Sequence, residues 1–120
     1  MTILIFERNL IWSGRLVRSA RALGHEPIVL AAWPDQLPSA DFAILNLGEP
    51  PGDLTTVVEA LHAAGISTIG HAGHKEKGPL AYGVESGCDQ VVSNSSLTFK
   101  LNELLDPAKL RDMHGPKLNC

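Results

Sequence analysis

Short apolar runs alternate with amphipathic stretches along this chain, and the alternation constrains the fold more than any other feature of the sequence. Five runs have the composition of strands that are buried on both faces: residues 3–6, 28–32, 42–45, 66–69 and 91–92. Parallel strands need long crossover connections, which are usually helices. The alternation therefore predicts an α/β domain with three layers, in which a doubly wound, five-stranded parallel sheet carries helices on both faces.

Helical spacing of apolar residues marks most of the stretches between these runs. The predicted helices cover residues 10–23, 54–64, 79–85 and 96–105. In the first of them, Leu16, Ala20 and Leu23 recur at helical spacing, and Gly24 follows where a helix end favours glycine. Residues 33–39 hold two prolines and are too short for a regular helix. We therefore expect the second helix of the fold to be short or missing.

The length of 120 residues and the 44% of hydrophobic residues fit one domain with one core. We place that domain at residues 1–105. Residues 106–120 hold two prolines and a glycine without helical or strand periodicity, and they are predicted to form an irregular tail.

Composition and charge exclude several classes of function. A net charge of −3 argues against nucleic-acid binding, which depends on neutralising phosphates. Apolar runs are far shorter than the roughly 20 residues that span a bilayer, and the amino terminus lacks the basic region of a signal peptide. Cys88 and Cys120 do not make a disulfide framework, so we expect a cytoplasmic protein.

Two motifs carry a resemblance to a known family. The segment Gly-Cys-Asp-Gln-Val-Val at residues 87–92 resembles the approach to strand five of bacterial response-regulator receiver domains. The segment Asp-Phe-Ala-Ile-Leu-Asn-Leu at residues 41–47, with Pro50 and Gly52 after it, resembles their third strand and phosphorylation loop. The resemblance covers residues 1–105 and implies a CheY-like, flavodoxin-like fold and a role in two-component signalling.

The resemblance also implies where a phosphorylation pocket lies. A receiver needs an acidic pair for Mg²⁺, an Asp that accepts the phosphoryl group, a Ser or Thr, and a Lys. Alignment places five other residues at these positions: Glu7 and Arg8 at the acidic pair, Asn46 at the acceptor, His71 at the hydroxyl and Asn94 at the lysine. An amide offers no carboxylate nucleophile, and a guanidinium repels a metal ion. We therefore expect a pseudo-receiver without catalytic residues or a cofactor.

A second interpretation is a small α/β protein that binds a nucleotide or a metal at the edge formed by His71 and His74. Two histidines three residues apart suit Zn²⁺, with Cys88 or Glu76 completing the site. A strand that runs into a helix at residues 3–14 also suits a phosphate, although the glycines of a dinucleotide fingerprint are missing.

The third set of candidates is a surface. Arg15, Arg18 and Arg21 lie on the predicted first helix opposite its apolar residues, and Trp12 lies nearby. Such a stripe is either a solvated helix face or a docking site for an acidic protein. We expect a stand-alone signalling module whose partner is a sensor kinase, an output protein or a second copy in a homodimer.

Overall fold

The computed structural model describes residues 1–110, and they form one parallel sheet with helices on both faces. The strands are β1 (Thr2–Phe6), β2 (Glu26–Leu30), β3 (Phe42–Asn46), β4 (Ser67–Ala72) and β5 (Gln90–Ser93). The helices are α1 (Leu10–Ala22), α2 (Leu54–Ala63), α3 (Lys77–Glu85), α4 (Asn94–Phe99) and α5 (Leu101–Leu104). The sheet order is β2-β1-β3-β4-β5 and all neighbours are parallel. The prediction of a doubly wound, five-stranded parallel sheet is confirmed.

Alternate residues of each central strand enter two separate layers of the core. In β1, Ile3 and Ile5 pack with Leu16 of α1, whereas Leu4 and Phe6 pack in the layer that α2 covers. This alternation follows from the two-residue period of a strand, and burial on both faces explains why the strands read as continuous apolar runs.

The connection from β2 to β3 contains no helix, as expected from its prolines and its length. Trp33, Leu37 and Ala40 cover the sheet there in place of a helix. The Trp33 ring stacks on Phe6 with ring centroids 5.5 Å apart and planes inclined by 14°. The large aromatic ring of Trp33 therefore helps an irregular segment to bury this end of the sheet.

Two element boundaries differ from the sequence-based expectation. β4 continues to Ala72, beyond the predicted end of this strand at residue 69, so that His71 lies in a buried strand. The predicted helix at residues 96–105 is divided at Lys100, whose φ of −120° and ψ of 23° depart from helical values. Leu97 of α4 and Leu101 of α5 lie in the same core layer.

The start of the predicted tail is partly ordered. Pro107–Lys109 forms a single 3₁₀ turn, which Asp106 caps by accepting a hydrogen bond from the Ala108 N–H at 2.9 Å. Residues 111–120, and with them most of the predicted irregular tail, lie outside the described residues. Within residues 1–110, no helix has the length and apolar content needed to cross a bilayer.

Candidate functional site

A cleft of about 360 Å³ opens at the carboxyl-terminal edge of the sheet. It lies where β1, β3 and β4 end, next to the point at which the chain changes its winding direction between β1 and β3. Open α/β sheets bind ligands at such switch points. The polar and aromatic side chains that line it are Glu7, Asn9, Trp12, Arg15, Asn46, His71, Glu76 and Asn94.

Glu7 lies at the floor of this cleft, directly after β1, and is 4% exposed. One of its oxygens, Oε2, accepts hydrogen bonds from the N–H groups of Arg8 at 3.1 Å and Asn9 at 3.2 Å. The Asn46 amide donates to both carboxylate oxygens at 3.2 Å. Glu7 is therefore held as a hydrogen-bonded carboxylate, and the amide of Asn46 takes part of its capacity to accept.

His71 reaches the same floor from β4. Its ring lies 2.7 Å from the side-chain oxygen of Asn94, so its Nδ1 donates to that oxygen and its Nε2 is left as the acceptor. Nε2 lies 3.8 Å from Glu7 Oε1. Burial lowers the pKa of His71, while the Asn94 hydrogen bond and the nearby carboxylates of Glu7 and Glu76 oppose that shift.

Four of the five aligned pocket residues thus meet in one place. Glu7, Asn46, His71 and Asn94 come from four different chain segments and line the same cleft. They are joined in two pairs, Glu7 with Asn46 and His71 with Asn94.

Arg8 does not join them, and its expected position in the pocket is corrected. Its side chain is exposed, and its Nε donates to the carbonyl oxygen of Ala31, just beyond β2, at 3.2 Å. The physical reason is the two-residue period of the extended chain: Glu7 turns inward, so the next side chain turns outward.

The residues at the cleft do not fit Mg²⁺. A magnesium ion prefers several hard oxygen ligands at near-octahedral geometry. Glu7 is already bound by two backbone N–H groups and an amide, Arg8 supplies no second carboxylate, and the carboxylate of Glu76 belongs to an exposed side chain at the side of the cleft. Among residues 1–110, no group of three or more His, Cys, Asp and Glu side chains is arranged to hold a metal ion.

The two histidines of the predicted zinc site differ in their burial. His71 is 2% exposed and lies inside β4, whereas His74 is exposed and does not line the cleft. Cys88 lies on the opposite face of the sheet, packed against the layer that α2 covers. Its burial, together with the charge of Asp89, raises the pKa of its thiol to about 11, so it is protonated at neutral pH.

The first turn of α1 forms the rim of the cleft. Trp12 is half-buried, with its ring 6.1 Å from the His71 ring, and the guanidinium of Arg15 lies 5.8 Å from the centre of the Trp12 ring. Arg18 and Arg21 are exposed farther along the helix. Within residues 1–110, no carboxylate comes within salt-bridge distance of these three arginines.

Sequence reasoning missed three residues at this rim, and it considered Glu76 only as a possible zinc ligand. Asn9 caps α1 by accepting a hydrogen bond from the Trp12 N–H at 3.0 Å, and Glu76 places a second carboxylate at the cleft. Leu10 and Ile11 are 83% and 79% exposed. A signal for the last two was present, because three consecutive apolar residues at positions 10–12 cannot all face inward at 100° per residue.

No protein-family model matches this sequence, and no curated protein matches it. Solved structures do match. The receiver domain of the TMAO respiratory system response regulator TorR aligns with a TM-score of 0.68 at 22% identity, over 87% of this chain and 95% of that chain. A CheY-like receiver domain protein from Methanospirillum hungatei aligns with a TM-score of 0.65 at 18% identity, over 88% and 93%.

A response regulator from Burkholderia pseudomallei, solved with a phosphorylated aspartic acid, a calcium ion and citrate, aligns with a TM-score of 0.70 at 12% identity. The match covers 90% of this chain and 68% of that chain. At these identities the likeness is one of fold. The chain has the fold of response-regulator receiver domains, and the resemblance predicted from its sequence is confirmed at that level.

Proposed function

We propose that this receiver-fold domain is a signalling module that is not phosphorylated and that acts by protein–protein contact, without catalysis of its own. The observation that carries the proposal is the Asn46 side chain at the end of β3, whose amide donates to both oxygens of Glu7 at 3.2 Å. In the receiver family this position holds the aspartate that accepts the phosphoryl group.

Phosphoryl transfer fails at such a site for a chemical reason. The acceptor must be a carboxylate oxygen that attacks phosphorus, and an amide has no such nucleophile. The transferring group also needs cations that neutralise its developing charge. Asn94 stands at the position of the family's lysine and carries no charge, while its oxygen accepts from His71.

The first turn of α1 supports a docking role. Leu10 and Ile11 are exposed apolar residues at its tip, and Arg15 and Arg18 lie beside them with no paired carboxylate among residues 1–110. An apolar centre with a charged rim is the usual anatomy of a protein interface. The cations favour an acidic partner, which is a kinase, an output protein or a second copy of this chain.

Incubation with acetyl phosphate and Mg²⁺ tests the proposal. The intact mass of the chain is expected to stay unchanged under conditions that label an active receiver domain in parallel. The matched variant is Asn46→Asp, which restores a carboxylate in the same backbone. If this variant gains more phosphoryl label than the unmodified chain, the difference is the labelling that the Asn46 amide prevents. Stoichiometric addition of one phosphoryl group to the unmodified chain contradicts the proposal.

A further inference from the structure

The floor of the cleft contains a buried acceptor without a donor. His71 is 2% exposed, and its Nε2 has no hydrogen-bond partner among residues 1–110. The other ring nitrogen is engaged with Asn94 at 2.7 Å, so the ring cannot turn to satisfy Nε2 without losing that bond. Buried polar groups are nearly always hydrogen-bonded, and the exceptions call for an explanation. A hydrogen-bond donor that does not belong to residues 1–110 would satisfy His71 Nε2.

A second hydrogen-bond acceptor lies close to His71 Nε2. Glu7 Oε1 lies 3.8 Å from His71 Nε2, and it receives one hydrogen bond, from the Asn46 amide. A carboxylate oxygen has room for two hydrogen bonds. One donor group with at least two hydrogens, placed within about 3 Å of both atoms, would satisfy Nε2 and Oε1 together.

The charged residues around the cleft determine which ligand charge the cleft favours. Glu7 at the floor and Glu76 at the side are both carboxylates, whereas Arg15 is the one cation among the described residues that line the cleft. Arg15 lies over the Trp12 ring at the mouth. A phosphate or carboxylate at the floor would face Glu7 directly, so the arrangement favours a cation over an anion.

We propose that this cleft binds a small primary ammonium compound, whose N–H groups donate to His71 Nε2 and Glu7 Oε1. The Trp12 ring then forms the wall beside the ligand, and the cleft of about 360 Å³ lies at the lower end of the range for small-molecule sites. This site goes beyond the proposed signalling role and requires neither a protein partner nor a metal.

Titration of the ¹⁵N-labelled chain with ethylammonium tests the proposal. Saturable shifts are expected at the Trp12 indole and at the side-chain amides of Asn46 and Asn94. The dissociation constant is expected on the order of 1 mM, because so few ligand atoms make contact. Tetramethylammonium has the same charge but no N–H group, and acetate has the opposite charge. Neither is expected to produce these shifts.

The variant His71→Phe removes the acceptor at Nε2, and binding of ethylammonium is expected to weaken at least about tenfold. The variant His74→Phe changes an exposed histidine of the same segment and is the matched control, with unchanged binding. The dispersion of the amide spectrum shows whether each variant is folded. If His71→Phe does not fold, the pH dependence of binding to the unmodified chain provides the same test.

Protonation of His71 turns the acceptor at Nε2 into a donor and adds a positive charge at the floor, where Glu7, Glu76 and Arg15 are the other charged groups. Ethylammonium binding is therefore expected to weaken as the pH falls through the titration of His71. The proposal is overturned if ethylammonium gives no saturable shift, if tetramethylammonium shifts the same residues equally, or if acetate binds more tightly than ethylammonium. Each of these outcomes leaves the phosphorylation test untouched, so the two proposals fail separately.

Discussion

His71 links the stability of this protein to pH through one buried ring. Burial lowers its pKa in the folded chain, despite the hydrogen bond to Asn94 and the carboxylates of Glu7 and Glu76. In the unfolded chain its pKa returns to about 6.5. The unfolded chain then binds a proton more readily than the folded chain, so the free energy of unfolding falls as the pH drops below about 6.5. The stabilisation that His71 contributes is complete above a pH of about 6.5, and it is lost as the pH falls towards the lower pKa of the folded state.

The predicted loss at His71 is at most about 1.4 kcal/mol per pH unit, which is the limit for one proton. Urea denaturation of the chain and of a His71→Gln variant between pH 7.5 and about 5 measures it, and the variant is expected to show the shallower dependence. Burial lowers the pKa of His25 in the same direction, so only the difference between the two chains reports on His71. Equal slopes for both chains would contradict the prediction.

Single residues also show how side chains from distant segments pair within the cleft. Asn46 pairs with Glu7 across the cleft, and Asn94 pairs with His71. The sequence identified these residues through the resemblance. It did not identify their pairing, because the partners lie 39 and 23 residues apart along the chain.

At the scale of elements, Leu47 couples β3 to α3. Its side chain is 3% exposed and lies between Gly70 of β4 and Gly83 of α3. A Cβ at Gly83 would lie 2.7 Å from Leu47 Cδ1, and a Cβ at Gly70 would lie 2.7 Å from Leu47 Cδ2. Leu47 therefore cannot move away from one glycine without meeting the other, and α3 depends on a glycine for its close approach to the sheet.

Gly83→Ala is predicted to destabilise the protein by about 1–2 kcal/mol. Overpacking costs about 1–3 kcal/mol, and the better helix propensity of alanine offsets up to about 1 kcal/mol. The matched control is Gly78→Ala in the same helix, where an added Cβ meets no described atom within 4 Å. That variant is expected to be neutral or more stable by up to about 1 kcal/mol. Denaturant midpoints of the two variants that shift in the same direction would refute the role of Leu47.

The connection from β2 to β3 shows how far an element can be predicted. Its prolines and its length predicted the missing helix, and the structure confirms it. The residues that replace the helix were not predicted, because the stacking of Trp33 on Phe6 joins two segments that only the sheet brings together. Local sequence limits which helices form, whereas packing decides what covers the sheet where no helix forms.

At the scale of the whole molecule, α1 carries exposed apolar residues and arginines that have no carboxylate partner among residues 1–110, and both lie at one end of the sheet, beside the cleft. Leu10 and Ile11 extend beyond the core, and Arg15 and Arg18 continue the same surface. A partner that docks here would touch the mouth of the cleft through Trp12 and Arg15. Binding in the cleft and docking on α1 are therefore expected to influence each other.

Photo-crosslinking in cells that make the protein tests this surface. A benzoyl-phenylalanine at position 11 is expected to give a discrete adduct with an acidic protein or with a second copy of the chain. Position 59 is the matched control, since Glu59 is an exposed residue of α2. The double substitution Arg15→Glu and Arg18→Glu is expected to reduce the adduct at least about tenfold, because two cations of the interface become anions. Equal adducts from positions 11 and 59 would rule out a docking face on α1.

The sequence by itself determined the class of the fold, its parallel sheet and its missing helix. These properties follow from the local period of apolar residues and from residue identity. Only the tertiary structure decided that Arg8 points away from the cleft, that His71 is buried in β4 and that Glu76 joins Glu7 at the same site. The direction of a side chain and the charge around it depend on contacts between segments distant in the sequence, and no local pattern encodes those contacts.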